Sequence, residues 1–240
     1  ATASHRPPPE LLIVGAKRGG TTSLWQYLSE QPGLLAQFPT PNSKGTYFLS
    51  EEWHRGERWW RSHFATRRVR ARVAATVGYT PVAGESSPYD LYHPLAPHRA
   101  AQVAPDALVV LRNPVDRAYS HWKERRRHTE TLGFAEAIDA EAERIAGEEE
   151  AILADPSYVS FAHRHQSYLD QGRYAPMLER WFDAYGRDGV LVETAEAFYA
   201  NPQALVDVVT DRLGLPRRAV ADTSPRNEAP SDPMPPGLRA

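Results

Sequence analysis

No cysteine occurs among the 240 residues, which removes a disulfide framework, thiolate zinc sites, iron–sulfur clusters and a cysteine nucleophile at once. Long apolar runs are missing too: no stretch approaches the roughly 18 residues of a membrane-spanning helix. Residues 1–10, with Pro7, Pro8 and Pro9, lack the apolar core of a signal peptide and read as an extended lead-in. Nor is there an excess of either charge. Lys and Arg number 28 against 30 Asp and Glu, a formal net charge of −2, whereas a general nucleic-acid coat needs a large basic surplus. What is present, 41% hydrophobic and 24% charged residues, is the composition of a folded soluble chain. The length suits one large domain or two small ones, and a single core of this size buries roughly three quarters of the unfolded surface.

Short apolar runs alternate with longer amphipathic stretches, the pattern of an α/β domain. Strands are predicted at residues 11–16, 34–38, 81–85, 107–112 and 189–193. Helices are predicted at 21–30, 94–104, 114–127, 134–145, 158–171, 174–184 and 202–213. Pro114 and Pro202 stand at first helical positions, where no N–H is needed, and Gly172 and Gly214 stand where helices end. The acidic stretch 136–150 reads as a solvated helix face and the arginine-rich stretch 61–72 as a surface helix. Trp59 and Trp60, followed by Phe64, read as a buried stripe. There is no internal repeat. Residues 11–224 form the predicted domain, and 225–240 a proline-rich irregular tail.

The most informative stretch is GAKRGGTTS, residues 15–23, between the first predicted strand and helix. A glycine-rich turn there lets backbone N–H groups curl around an anion, and the helix N-terminus adds partial positive charge. The spacing resembles the phosphate loop G-x4-G-K-S/T, with Gly15 and Gly20 in the glycine places. Thr21 occupies the lysine place, however, and the lysine has moved inside the loop to Lys17. A nucleotide triphosphatase also needs an aspartate at a strand end for Mg²⁺, and no predicted strand ends in an aspartate. A lysine inside the loop suits a single 5′-phosphate and whatever leaves from it.

A second basic constellation is LRNPVDRAYSHW, residues 111–122. Arg112 emerges at the C-terminal end of an apolar strand, the edge that lines the ligand crevice of open parallel sheets. Its guanidinium offers a planar fork of donors, and Ser120, eight residues on, can supply a hydroxyl to the same anion. Two anion sites on separate strand ends fit one ligand carrying two separate phosphoryl-like groups.

Together these stretches resemble a known family. GAKRGGTTS resembles the 5′-phosphosulfate-binding motif of the sulfotransferases, and LRNPVDRAYSHW their 3′-phosphate motif, R-D/N-P-x-x-R-x-x-S. Residues 166–193, QSYLDQGRYAPMLERWFDAYGRDGVLVE, are similar to the G-x-Y-x-x-x-L-x-x-W segment of heparan sulfate N- and O-sulfotransferases and their bacterial relatives. Residues 84–94, GESSPYDLYHP, resemble the E-K-T-P-x-Y segment of the 3-O-sulfotransferases. The resemblance spans roughly residues 11–215. It implies a P-loop-like three-layer α/β sandwich with a central, mainly parallel sheet. It further implies sulfuryl transfer from 3′-phosphoadenosine 5′-phosphosulfate, with no metal, to a hydroxyl or, second, an amine. The acceptor class is a carbohydrate or another small molecule. Lys17, Arg18, Gly19, Gly20, Thr21, Thr22 and Ser23 correspond to the 5′-phosphosulfate site, Arg112 and Ser120 to the 3′-phosphate site, and Arg226 to the loop that closes over it.

An acceptor hydroxyl also needs a general base. In the heparan sulfate enzymes a glutamate precedes an aromatic pair, as in K-E-x-H-F-F. Here the sequence runs Lys44-Gly45-Thr46-Tyr47-Phe48, with Gly45 in the glutamate's place. Glu85 is the replacement candidate, with Ser86 where the related motif has lysine, and Lys44 is placed to bridge donor and acceptor sites. His54, His63 and His93 are further options. His163 and His165, two apart on a helix, face apart and make a poor metal pair. Two other readings compete: a P-loop nucleotide kinase, which calls for lysine at position 21, and a non-catalytic donor-binding relative, which Gly45 leaves open. The lack of cysteine suits a bacterial cytoplasm better than the oxidising lumen of the heparan sulfate enzymes.

Overall fold

Leu11, Leu12, Ile13 and Val14 are apolar on both faces of one strand, so the sheet that holds them must be covered on both sides. The computed structural model describes residues 5–35, 37–38, 44–104, 106–224, 234 and 237. Its five strands are β1 (Leu11–Gly15), β2 (Leu34–Leu35), β3 (Val82–Ser86), β4 (Ala107–Leu111) and β5 (Val190–Thr194). They form one sheet in the order β2-β3-β1-β4-β5, every pair parallel. All five strands predicted from the sequence are present, and the sheet is wholly rather than mainly parallel.

The helices are α1 (Thr21–Ser29), α2 (Glu57–Arg61), α3 (Arg67–Val77), α4 (Ala96–Ala101), α5 (Pro114–Arg126), α6 (Phe134–Asp139), α7 (Glu141–Ile145), α8 (Glu148–Ala154), α9 (Phe161–His165), α10 (Tyr174–Tyr185), α11 (Ala195–Ala200) and α12 (Pro202–Arg212). Alternate strand residues feed opposite layers. Leu12, Val14 and Val109 pack with Phe48, Trp60, Tyr89 and Trp181, while Leu11, Ile13, Leu108 and Val110 pack with Leu24, Tyr27, Phe198 and Val206. The result is the expected three-layer sandwich. Each fully buried large aliphatic contributes about 1.5–3 kcal/mol to it. No helix among the described residues is long and apolar enough to cross a membrane.

Three local expectations change. The helix predicted at 158–171 is α-helical only over Phe161–His165. Beyond it, Leu169 and Asp170 donate their N–H groups to the Glu141 carboxylate, at 2.7 and 2.8 Å, instead of to helical carbonyls. The helix predicted at 134–145 correspondingly breaks at Ala140, which turns Glu141 inward. Glu141 is 4% exposed, so the acidic stretch is not simply a solvated face. The arginine-rich stretch is likewise divided, α2 ending at Arg61 and α3 starting at Arg67 behind the Thr66 cap. Trp60 and Phe64 are buried as predicted, in edge-to-face contact at 5.4 Å. The end of the lead-in is tied to the sheet: Glu10 accepts from Ala83 N at 2.8 Å and pairs with Arg70 at 2.5 Å.

Candidate active site

The C-terminal ends of β1, β3 and β4 lie side by side, so the connections leaving them converge on one edge of the sheet. The connection from β1 is the glycine-rich loop. At Gly19 a Cβ would sit 2.3 Å from the Val110 carbonyl oxygen, so only glycine lets the loop lie against the end of β4. Gly20 caps α1 at φ 97°, a conformation open to glycine. It brings no side chain to accept from the first N–H groups of the helix, and the first turn holds no acid. Those donors, with the helix dipole behind them, face the edge where an anion can sit.

The loop's carbonyls are held from outside by arginines. Arg117 Nη1 donates to the Lys17 carbonyl at 3.4 Å, and Arg112 Nη1 to the Arg18 carbonyl at 3.3 Å. The loop is further fixed by its own amides, Gly19 N donating to the Ala16 carbonyl and Ala16 N to the Val110 carbonyl, each at 2.8 Å. Arg117 is fully buried and its other nitrogen donates to the Tyr168 carbonyl, so it ties α5, the loop and residue 168 together. Asn113 caps α5, accepting from Val115 N and Asp116 N at 3.0 and 3.2 Å. The Tyr174 hydroxyl donates to the Arg112 carbonyl at 2.7 Å. Arg112 thus leaves β4 with its backbone anchored on both sides.

Arg18 joins the two motifs. Its Nε donates to Ser120 Oγ at 3.0 Å, and its backbone takes φ 69°. Tyr47 is the other described non-glycine residue at positive φ, 53°. Each such residue costs of order 1 kcal/mol or more, and both lie on loops at this edge.

Among the described residues, Lys17, Arg18 and Lys44 have no carboxylate within ion-pair distance. Lys17 Nζ donates to the Arg164 carbonyl at 3.0 Å and lies 3.4 Å from His165 Nδ1. Burial holds its ammonium well below the usual lysine range, Glu124 opposes that shift, and Arg164, Arg125 and Arg117 add to it. Lys44 Nζ donates to Thr22 Oγ1 at 2.9 Å and lies 3.4 Å from Thr21 Oγ1. Burial, with Arg18 nearby, lowers its pKa to about 8. Burial and neighbouring cations also press His165 down to about 3, leaving a neutral ring beside Lys17. Crowded cations with depressed pKa values fit a site that takes up negative charge, because a bound anion relieves both penalties.

The sequence-predicted residues divide clearly. Lys17, Arg18, Gly19, Gly20, Thr21, Thr22, Arg112, Ser120 and Lys44 come together at one edge. Ser23 turns beneath it, its hydroxyl 3.3 Å from the Tyr199 hydroxyl. Arg226 lies outside the described residues. Glu85 corrects the expectation of an accessible base: it is 1% exposed, and its Oε2 accepts from Thr46 Oγ1 at 2.7 Å, Gln37 Nε2 at 3.1 Å and Thr46 N at 3.2 Å. Burial raises its pKa against those donors. The carboxylate shapes residues 44–48 from behind. Gly45 belongs to the same packing, since a Cβ there would lie 2.3 Å from the Ser86 carbonyl oxygen.

His93 and His163 are buried, Tyr89 donating or accepting with His163 Nδ1 at 2.8 Å. His163 and His165 do face apart, one toward Tyr89 and the other toward Lys17. Tyr89 and Tyr92 are core residues. The sequence reading missed Arg117, although it is the second arginine of R-D/N-P-x-x-R-x-x-S. It also missed Tyr199, Arg164 and His165, which no local pattern marks.

No family model matches the chain. Its sequence is 28% identical over 212 residues to the bifunctional heparan sulfate N-deacetylase/N-sulfotransferase 1 of Mus musculus, covering 86% of this chain and 22% of that protein. It is 26% identical to the Caenorhabditis elegans protein of the same name, covering 87% of this chain and 22% of that protein. The chain therefore spans about a fifth of the length of these relatives. A solved sulfotransferase from Alicyclobacillus acidocaldarius superposes with a TM-score of 0.69 at 29% identity, over 96% of this chain and 88% of that one. A shared fold along nearly the whole of that structure, joined to the N-sulfotransferase likeness, supports placing this chain with the sulfotransferases.

Proposed function

We propose that the chain transfers a sulfuryl group from 3′-phosphoadenosine 5′-phosphosulfate to a hydroxyl, or second an amine, of a carbohydrate or other small molecule, without a metal. The observation that carries this reading is the pair of anion sites joined by Arg18: the donor loop after β1, and Arg112 with Ser120 after β4. A ligand with two separated phosphates matches them; a simple triphosphate does not need the second. The loop N–H groups and Lys17 hold the 5′-phosphate, and Arg112, Arg18 and Ser120 hold the 3′-phosphate. In the transfer, the acceptor atom bonds to sulfur as the bond from sulfur to the bridging phosphate oxygen breaks. The electron pair stays on the departing bisphosphate, and the acceptor gives up its proton. Lys17 stabilises the charge that builds on that oxygen, and the preoriented N–H donors do so with no reorganisation.

The test is turnover of radiolabelled donor against a panel of sugars, phenols and amines, with and without chelator. Label transfer that chelator leaves intact is the expected outcome. Binding of the donor with no transfer to any acceptor contradicts the enzymatic reading, and loss of transfer on chelation contradicts its metal independence.

A pH dependence follows from the depressed lysines. Lys44 is an ammonium below about pH 8 and loses its proton above it, while Lys17 is shifted in the same direction. Only the charged forms attract the donor. Donor affinity measured by calorimetry should therefore fall by roughly tenfold or more between pH 7 and 9.5. An affinity that stays level or rises over that range is inconsistent with the cation cluster as the binding determinant.

A further inference from the structure

With Glu85 enclosed and Gly45 at the aligned glutamate position, the proton of an acceptor hydroxyl still needs a place to go. The described carboxylates that act on Lys17 and Arg164 are engaged or enclosed. Glu51 pairs with Arg164, Glu124 lies 3.6 Å from Arg125 and 3.7 Å from His128, and Asp90 is 1% exposed. His121 also stands near Lys17, but it is fully buried. His165 is different: it is half-buried, and its Nδ1 lies 3.4 Å from Lys17 Nζ. An ammonium only donates, so that contact requires a lone pair on Nδ1 and puts the ring proton on Nε2.

The end of α9 is built to hold that ring. Ser160 Oγ accepts from His163 N at 2.9 Å and starts the helix. Phe161, four residues before His165 and so on the same face, packs its ring against the imidazole with centroids 4.9 Å apart. The Arg164 carbonyl accepts from Gln171 Nε2 at 3.2 Å as well as from Lys17 Nζ at 3.0 Å, so the backbone beside His165 is fixed before any ligand arrives. Phe161 is 49% exposed, and the imidazole it touches therefore borders open surface, where an acceptor can enter. When Lys17 turns to a bound donor, Nδ1 loses its partner, and its lone pair is left facing the place where the chemistry occurs.

We propose that His165 is the general base of this chain, taking the acceptor's proton on Nδ1. This rests on the donor assigned above. As the acceptor oxygen bonds to sulfur, its proton passes to Nδ1, and the electron pair of the breaking bond leaves with the bisphosphate. Nε2 keeps its proton, so the ring becomes an imidazolium beside newly formed negative charge. In-line transfer places acceptor and leaving oxygens on opposite sides of sulfur, so the base must stand beside Lys17 and not in its place, as His165 does. In the free protein, burial and the charges of Lys17, Arg125 and Arg164 lower the imidazole's pKa to about 3, and the ring is neutral at physiological pH. The negative charges of a bound donor offset those cations and raise its basicity at the moment of use.

Nitrogen-15 NMR of the imidazoles reads the tautomer without turnover. His165, assigned by the signal lost in His165→Gln, is expected at about pH 6 to be neutral with its proton on Nε2, and to gain at least about one pKa unit when 3′,5′-ADP binds. Single-turnover rates with radiolabelled donor then compare p-nitrophenol, which at about pH 8 is mostly phenolate and needs no base, with phenol and a simple sugar, which do. His165→Gln is expected to lower transfer to phenol and to the sugar by more than about 100-fold and transfer to p-nitrophenol by less than about fivefold. It should bind 3′,5′-ADP within about threefold of wild type, which also reports an intact fold. A proton on Nδ1, a pKa that the nucleotide does not move, equal losses with every acceptor, or losses below about tenfold overturn the assignment. Wild-type protein that binds 3′,5′-ADP and transfers label to no acceptor overturns the enzymatic reading, and the base with it. Wild-type protein that does not bind 3′,5′-ADP overturns the donor reading instead.

Discussion

Lys17→Ala is expected to lower the rate of sulfuryl transfer by more than about 100-fold, on the order of 3 kcal/mol of transition-state stabilisation. The size follows from where the charge develops. In the proposed transfer the bisphosphate leaving group gains a full negative charge on one oxygen, and Lys17, inside the loop rather than at the helix start, is the cation proposed to meet it. Its environment amplifies the effect: the ammonium is buried, and a buried cation meets developing charge with little screening by water. The same burial predicts that the folded state loses little. Lys17 makes one hydrogen bond to the Arg164 carbonyl and a contact to His165, and removing an ammonium that burial already disfavours relieves a penalty. A melting temperature within a few degrees of wild type, with turnover down by two orders of magnitude, is the expected pair of results. Turnover near wild type removes Lys17 from the mechanism.

The second large effect concerns Gly45→Glu, which restores the residue that the heparan sulfate enzymes carry at the aligned place. The gain of a base is not expected. A Cβ at position 45 would lie 2.3 Å from the Ser86 carbonyl oxygen and 2.5 Å from Ser87 Oγ. The first is backbone at the end of a fully buried strand and cannot yield. Residues 44–48 must instead lift off β3, taking the Thr46 contacts from Glu85 and leaving a buried carboxylate without its donors. Overpacking of this kind costs about 1–3 kcal/mol, and stranding the carboxylate adds about 1–3 kcal/mol. For a chain of this size that is a fall in melting temperature of roughly 5–20 °C, with transfer activity lost as Lys44 is displaced. Gly45→Ala should show most of the same loss, because the clash is at Cβ. A Gly45→Glu protein that melts like wild type and transfers faster contradicts this packing.

The sheet was legible because its strands carry two-sided apolar runs that little else produces: LLIV before the loop and ALVVL before Arg112. The loop was legible because the glycines it needs are set by local backbone geometry, as Gly19 against Val110 and Gly20 at positive φ show. What the sequence concealed depends on partners far along the chain. Glu141 reads as one more exposed acid until the amides of Leu169 and Asp170, 28 and 29 residues away, claim it. That claim also ends the helix predicted through 171. Glu85 looks like a base because it stands at a strand end; only the fold shows that Thr46 and Gln37 close over it. Lys17 and Arg164 are 147 residues apart and meet through a carbonyl, which leaves no trace in residue type. Lys44 was marked as bridging from its neighbourhood, but its approach from the β3 side needed the strand order.

The central claim is that two anion sites, one after β1 and one after β4, hold one doubly phosphorylated nucleotide. Calorimetric titration of the wild-type protein with 3′,5′-ADP, 5′-AMP and ATP–Mg²⁺ tests it directly. 3′,5′-ADP is expected to bind without added metal at least about 100-fold more tightly than 5′-AMP, the loss of two charge-assisted contacts at Arg112 and Ser120 being worth on the order of 3 kcal/mol, and ATP–Mg²⁺ is expected to bind no better than 5′-AMP. Equal affinities for 3′,5′-ADP and 5′-AMP, or a clear preference for ATP–Mg²⁺, would contradict it.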